Sequence, residues 1–118
     1  MAVIYADHVR ADSPLPDEIV KIAAEANCPW VLVDTFDKAG GAVGDHFSPA
    51  ELQALLQSVR KSGRRTVVAG SLTGATIAAL PADLIDMVAV RGAACEGGRD
   101  GAVCERRVAE LRDLLTTY

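Results

Sequence analysis

The sequence predicts an α/β fold: parallel βα repeats, about four of them, in one domain spanning residues 1–118. Three observations predict it. Short apolar runs alternate with helix-like periodicity, which implies parallel strands joined by right-handed crossovers. The runs are almost wholly apolar, the pattern of strands covered on both sheet faces. Two polar connections that follow strands, 34–48 and 91–103, are longer than the usual βα loop, and long loops after strands are where such folds keep their function.

The elements follow in order along the chain. Ala2 to Tyr5 is a short strand leading to Asp7. Pro16-Asp17-Glu18 opens a helix, with proline in the first turn and Ile19, Ile22, Ala23 and Ala26 on one face; Asn27 is its stop. Trp30 to Val33 is the second strand. Ser48-Pro49-Ala50-Glu51 is a capping box, in which hydroxyl and carboxylate satisfy the first amides. Leu52, Leu55, Leu56 and Val59 then keep the i, i+3, i+4, i+7 spacing until Gly63 ends the helix. Thr66 to Ala69 is the third strand, followed by a short helix from Gly74 to Leu80 stopped by Pro81. Met87 to Val90 is the fourth strand. A last helix from Cys104 to Leu115 is expected to bury Val108, Leu111 and Leu115.

Composition excludes several classes of function. Half of the 118 residues are hydrophobic and only 4% are aromatic, so the chain can bury one modest, aliphatic core. A net charge of −4 argues against broad nucleic-acid or anionic-membrane binding, although local basic residues can still hold a small phosphate. No apolar run approaches the roughly 20 residues that span a bilayer. The N-terminus lacks the basic and apolar regions of a signal peptide. Cys28, Cys95 and Cys104 are odd in number and without C-x-x-C spacing, which fits reduced thiols in a cytoplasm. His8 and His46 are too few and too scattered for a metal site, and no cofactor is indicated.

The chemistry concentrates at strand ends. Val31-Leu32-Val33 is followed by Asp34, Thr35 and Lys38. A carboxylate and an amine at the carboxyl end of a buried strand sit where α/β folds build active sites, and amine chemistry on carbonyl substrates uses such a lysine. The bland alternative is a helix-capping Asp34 and a solvated Lys38. The third strand ends in Ala69-Gly70-Ser71-Leu72-Thr73-Gly74 and the fourth in Val90-Arg91-Gly92-Ala93-Ala94-Cys95. Gly70, Ser71 and Gly92 expose backbone N–H groups, Arg91 supplies charge, and a following helix N-terminus favours an anion; together they suit a small phosphate. Alternatively, the glycines only permit tight turns and Arg91 pairs with a structural carboxylate. Asp7 and Arg10, after the first strand, are accessory candidates or merely a loop salt bridge. Cys95 reads as a small packed thiol. Gly97-Gly98-Arg99-Asp100-Gly101 reads equally as a mobile lid or a plain flexible loop.

Taken together and in order, these stretches resemble the (5-formylfuran-3-yl)methyl phosphate synthase family of methanofuran biosynthesis. The resemblance is carried by Tyr5-Ala6-Asp7, by Val33-Asp34-Thr35 with Lys38 and Gly40, by Leu56 to Gly63 in outline, by Ala69-Gly70-Ser71-Leu72 and by Val90 to Gly98. It implies a lyase with a TIM (β/α)₈ barrel that condenses two glyceraldehyde 3-phosphate molecules to a furan aldehyde phosphate, losing phosphate and water. It also implies a Schiff-base lysine on an early strand, a second lysine midway, and a later Asp and Lys matching Asp34 and Lys38. The match begins at the family's fifth strand, so the chain is expected to be the C-terminal half of the barrel, with both early lysines outside it. Such a half calls for completion by an N-terminal half-barrel or by self-association. The competing expectations are a non-catalytic phosphate-binding or assembly subunit and a receiver-type signalling domain. The latter needs a fifth βα unit, a carboxylate pair after the first strand and a late Lys-Pro, and this sequence shows none of these.

Overall fold

The computed structural model describes residues 1–116. Four strands, β1 (Ala2–Tyr5), β2 (Trp30–Asp34), β3 (Arg65–Val68) and β4 (Met87–Val88), form one sheet in the order β1-β2-β3-β4. Every pairing is parallel. The helices are α1 (Pro16–Glu25), α2 (Val43–His46), α3 (Pro49–Lys61), α4 (Gly74–Ala78) and α5 (Glu105–Leu115), with 3₁₀ turns at Ala82–Leu84 and Gly92–Ala94. The strand order runs monotonically with sequence. It therefore differs from the doubly wound receiver-type arrangement, whose first two strands exchange places.

That order decides which face of the sheet is covered. Right-handed crossovers that always step the same way put successive helices on the same side. Ile4, Val33, Val68 and Val88 share one register row. Ile4, Val33 and Val68 are buried in a core with Val20 and Ala23 of α1, Leu52, Leu55, Leu56 and Val59 of α3, and Ile77 of α4. The neighbouring row, Val3, Leu32, Val67 and Met87, points the other way because strand side chains alternate. The expectation that both faces are covered holds for β3, whose Thr66, Val67 and Val68 are all buried, and is corrected for the other strands. β2 alternates between buried and half-buried residues, Val3 of β1 is half-buried, and Met87 is 51% exposed.

Local signals set the element ends. Ser48 Oγ accepts the Glu51 N–H at 3.1 Å and Glu51 Oε1 accepts the Ser48 N–H at 3.0 Å, so the capping box forms. Asn27 and Gly63, just past α1 and α3, take left-handed backbone (φ 54° and 82°), as helix stops do. Other limits shift. β3 starts one residue earlier than expected and ends at Val68, yet Ala69 still donates its N–H to Val33 O at 2.8 Å. β4 stops at Val88 rather than Val90; Ala89 makes one more bond, to Val68 O at 2.9 Å, and Val90 turns toward solvent. α4 ends at Ala78, two residues short of Leu80, because Pro81 has no N–H with which to continue the helix.

Two helix faces also differ from expectation. α1 buries Val20 and Ala23, while Ile22 is 50% exposed and Ala26 is exposed. The face runs through Ile19, Val20 and Ala23, rotated from the expected one. In α5, Leu111, Leu114 and Leu115 pack against the core from half-buried positions, but Val108 is 44% exposed.

Candidate active site

The carboxyl ends of the strands bring the charged candidates together. Asp34 closes β2; its Oδ1 accepts the Thr35 N–H at 2.7 Å and the Lys38 ammonium at 2.7 Å. Lys38 Nζ also donates to the Thr35 carbonyl and, at 3.3 Å, to Thr35 Oγ1. Thr35 itself is buried. The lysine is therefore folded back over the strand end, with its three donors spent on two adjacent residues, rather than waving in solvent. Its side chain remains 32% exposed, so the amine is both held and reachable.

The turn that carries Lys38 is fastened from the neighbouring loop. Asp7, past the end of β1, accepts the N–H groups of Phe36 and Asp37 at 2.7 and 2.9 Å. Burial alone pushes the Asp7 carboxyl up. The bonds from Phe36, Asp37 and its own backbone, helped by the charge of His46, outweigh that and leave it below its ordinary value. Arg10 does not pair with Asp7; it reaches Asp37 Oδ2 at 2.7 Å. The expected Asp7 and Arg10 loop contacts thus exist, but both converge on residues 36–37.

The loop after β3 presses on the same place. Gly70 has φ +103°, and a Cβ there would lie 3.1 Å from both Thr35 Cγ2 and Val43 Cβ. Only glycine gives this close approach without strain. The Gly70 carbonyl accepts the Val43 N–H at 3.0 Å, tying in α2. Ser71 also takes left-handed backbone (φ 54°) and is exposed. After β4, Arg91 Nε donates to the Arg99 carbonyl at 2.9 Å rather than to a carboxylate, and Gly92 opens a 3₁₀ turn. A Cβ at Gly92 would stand 3.2 Å from the Arg99 N.

Asp34, Lys38, Gly70, Ser71, Arg91 and Gly92 all line one open cavity of about 800 Å³. The α4 terminus contributes less than the sequence suggests. That helix is five residues long, and two of the amides at its start are spoken for: Thr73 N–H by Thr76 Oγ1 at 2.7 Å and Thr76 N–H by Thr73 Oγ1 at 3.3 Å. Sequence reasoning missed Arg99 and Arg107, which also line the cavity. Arg99 lies in a glycine-rich turn and Arg107 in a charged helix start, where either reads as solvated. The 97–101 turn is a closed structure: Glu96 N–H bonds Ala102 O and Gly101 N–H bonds Gly98 O, both at 3.0 Å. Cys95 is buried, and Cys28, Cys95 and Cys104 are free thiols. Among the described residues, no group of His, Cys, Asp and Glu is gathered for a metal ion, and no helix is long and apolar enough to cross a membrane.

Fold and site define the class: a parallel βα-repeat protein with a held amine, a carboxylate and backbone-rich glycine loops around one cavity at the carboxyl ends of its strands. The chain belongs to the 4-HFC-P synthase family, whose model matches residues 1–112. It is 34% identical over 116 residues to the (5-formylfuran-3-yl)methyl phosphate synthase of Methanobrevibacter smithii, an overlap of 97% of this chain and 49% of that protein. The synthase of Methanopyrus kandleri is 35% identical over 117 residues, covering 98% and 49% of the two chains. That of Methanothermobacter thermautotrophicus is 31% identical over 120 residues, covering 100% and 51%. The chain thus spans about half the length of the curated relatives it matches.

Proposed function

We propose that this chain is the C-terminal half-barrel, one domain over residues 1–118, of a cytoplasmic (5-formylfuran-3-yl)methyl phosphate synthase. On this reading it is a Schiff-base lyase that condenses two glyceraldehyde 3-phosphate molecules in methanofuran-type cofactor biosynthesis. The observation that carries the reading is the single cavity shared by the Asp34–Lys38 pair and the loops after β3 and β4. The half-barrel is supported by the monotone parallel order, by a sheet face that packs outside the main core, and by the coverage of half of each relative. Closing a small barrel takes about eight strands, so an N-terminal half-barrel supplies the rest, including the Schiff-base lysine.

In the completed site, Gly70, Ser71, Gly92 and Arg91 hold a substrate phosphate. Lys38 moves protons at the condensing carbons and the leaving oxygens, and Asp34 keeps its ammonium directed. Asp7 and Arg10 act at one remove, by holding the 36–37 backbone. The test pairs this chain with the N-terminal half of the Methanopyrus kandleri relative and follows furan aldehyde formation from glyceraldehyde 3-phosphate. Activity is expected, with Lys38→Ala lowering turnover by about 10²–10⁴-fold, the usual worth of a positioned acid/base, and Asp34→Asn impairing the same steps. The chain alone, with substrate and borohydride, is expected to trap little adduct. Stoichiometric trapping at Lys38 overturns its acid/base role. A folded pair that binds the substrate without turnover leaves the alternative, a non-catalytic phosphate-binding or assembly subunit.

A further inference from the structure

We propose that Arg107 of α5 is the principal charge partner of a small phosphate monoester dianion in this cavity. The proposal rests on the reading of the cavity as a phosphate site and adds the residue that decides its affinity. Four cationic side chains line the cavity, Lys38, Arg91, Arg99 and Arg107, against two acidic ones, Asp34 and Glu110. Both carboxylates are committed. Asp34 holds Lys38 at 2.7 Å, and Glu110 holds Arg106, outside the cavity lining, at 2.8 Å. Three guanidinium groups are therefore left without a carboxylate among the described residues. In a chain of net charge −4, that is a local concentration of positive charge suited to focusing a multiply charged anion.

Arg107 differs from the other two. Arg91 and Arg99 are exposed, and Arg91 already donates Nε to a carbonyl. Arg107 is half-buried, and its Nε is buried with no hydrogen-bond partner among the described residues. Buried donors are paired in native proteins, and leaving one unpaired is costly. Its place in the helix sharpens the point. Arg107 lies in the first turn of α5, where a cation opposes the helix dipole. It also lies one and two turns before Leu111 and Leu114, on the stripe that packs against the core and lines the cavity. An arginine set against both preferences, beside the glycine loops, is matched by an oxygen-rich anion. Its planar fork suits phosphate bidentately.

The test is titration of the folded full chain with inorganic phosphate, followed by amide shifts and calorimetry. Saturable shifts are expected at Gly70, Ser71 and Gly92. Arg107→Met should weaken binding by about ten- to a hundredfold, the loss of a charge-assisted pair. Arg112→Met should stay within about twofold, because Arg112 pairs with Asp113 at 3.1 Å, neither residue lines the cavity, and a surface ion pair of this kind is worth little. Wild-type affinity should rise as inorganic phosphate passes from monoanion to dianion around neutral pH, and that rise should flatten in Arg107→Met, which a purely structural arginine would not cause. Should Arg107→Met not fold, Arg107→Gln is read in its place. Unchanged affinity and pH dependence in a folded Arg107 variant overturn this inference while leaving the phosphate site standing. An absence of shifts in the wild-type loops overturns both.

Discussion

The carboxylate of Asp7 accepts the main-chain N–H of Phe36 at 2.7 Å, across 29 positions of sequence. With its second bond to Asp37 N–H, one side chain past β1 holds two consecutive amides at the end of β2. Asp37 in turn binds Arg10 and caps the Ala39 N–H at 3.0 Å. The turn bearing Lys38 is thus built from both loops, and its shape depends on a residue that touches neither Lys38 nor the cavity.

Asp7→Asn should show this dependence. The amide keeps one acceptor oxygen and replaces the other with an NH₂ donor. One hydrogen bond is lost, and in its place two N–H groups face and repel each other. Hydrogen bonds to a charged acceptor are worth about 1.5–3 kcal/mol, and a destabilisation of that order is expected in urea unfolding. Faster hydrogen exchange at Phe36 and Asp37 should accompany it. Unchanged exchange at those two amides would show that Asp7 is not the clamp.

Acid should weaken the fold through the same group and through Asp86. Burial pushes the Asp86 carboxyl up, but the Thr66 N–H, the Arg60 guanidinium and the Thr66 hydroxyl together hold it below its ordinary value of 3.8. Asp7 is likewise lowered from 3.8. A carboxyl depressed on folding stabilises fully above its unfolded value, and the contribution is lost as pH falls through the folded value, because the unfolded chain takes up the proton first. The unfolding midpoint should therefore drop as pH falls below about 4. Asp7→Asn and Asp86→Asn should each flatten that drop, and acid limbs identical to wild type would rule these carboxyls out as its cause.

What the sequence makes legible is what is local. The Ser48–Glu51 capping box, the Asn27 and Gly63 stops and the Asp34-to-Lys38 spacing each involve residues within one turn of each other, so their types suffice. Asp7 bonds amides 29 and 30 positions away, and no local pattern reports that. Ile22 and Val20 are both apolar positions of α1, and only the packing of α1 on β1 and α3 selects Val20. Arg107 reads as a solvated charge at a helix start because its setting depends on where the β3 and β4 loops fold. The open sheet face is hidden for a different reason: a strand inside a barrel and a strand between two helix layers carry the same apolar composition.

Gly70 is where backbone geometry, not side-chain chemistry, joins the loop to the site. Gly70→Ala places a Cβ 3.1 Å from Thr35 and Val43 in a left-handed backbone, so a loss of about 1–3 kcal/mol is expected. Gly44→Ala is the control. Nothing lies within 4 Å of its Cβ position and its φ is ordinary; in the short helix α2, alanine should be neutral or stabilising by up to about 1 kcal/mol. Equal effects at the two glycines, measured by chemical denaturation, would remove the close-approach argument.

The face of the sheet turned away from the helices predicts how the isolated chain behaves. In its apolar row, Val67 is buried, Val3 and Leu32 are half-buried, and Met87, on edge strand β4, is 51% exposed. Free edges with such a row invite pairing with another chain. The chain should therefore associate with rising concentration in sedimentation velocity, and bind an apolar dye when dilute. Met87→Lys adds a charge at the edge, the usual guard against strand pairing, and at an exposed position it should cost little stability. It should shift association to higher concentration while leaving the circular dichroism unchanged. Co-expression with an N-terminal half-barrel should suppress dye binding in the wild type and do so less well in Met87→Lys. A wild-type chain that stays monomeric across the accessible concentrations, binds no dye and protects its β1 and β4 amides from exchange would mean that this face is already satisfied, and the half-barrel reading would fail with it.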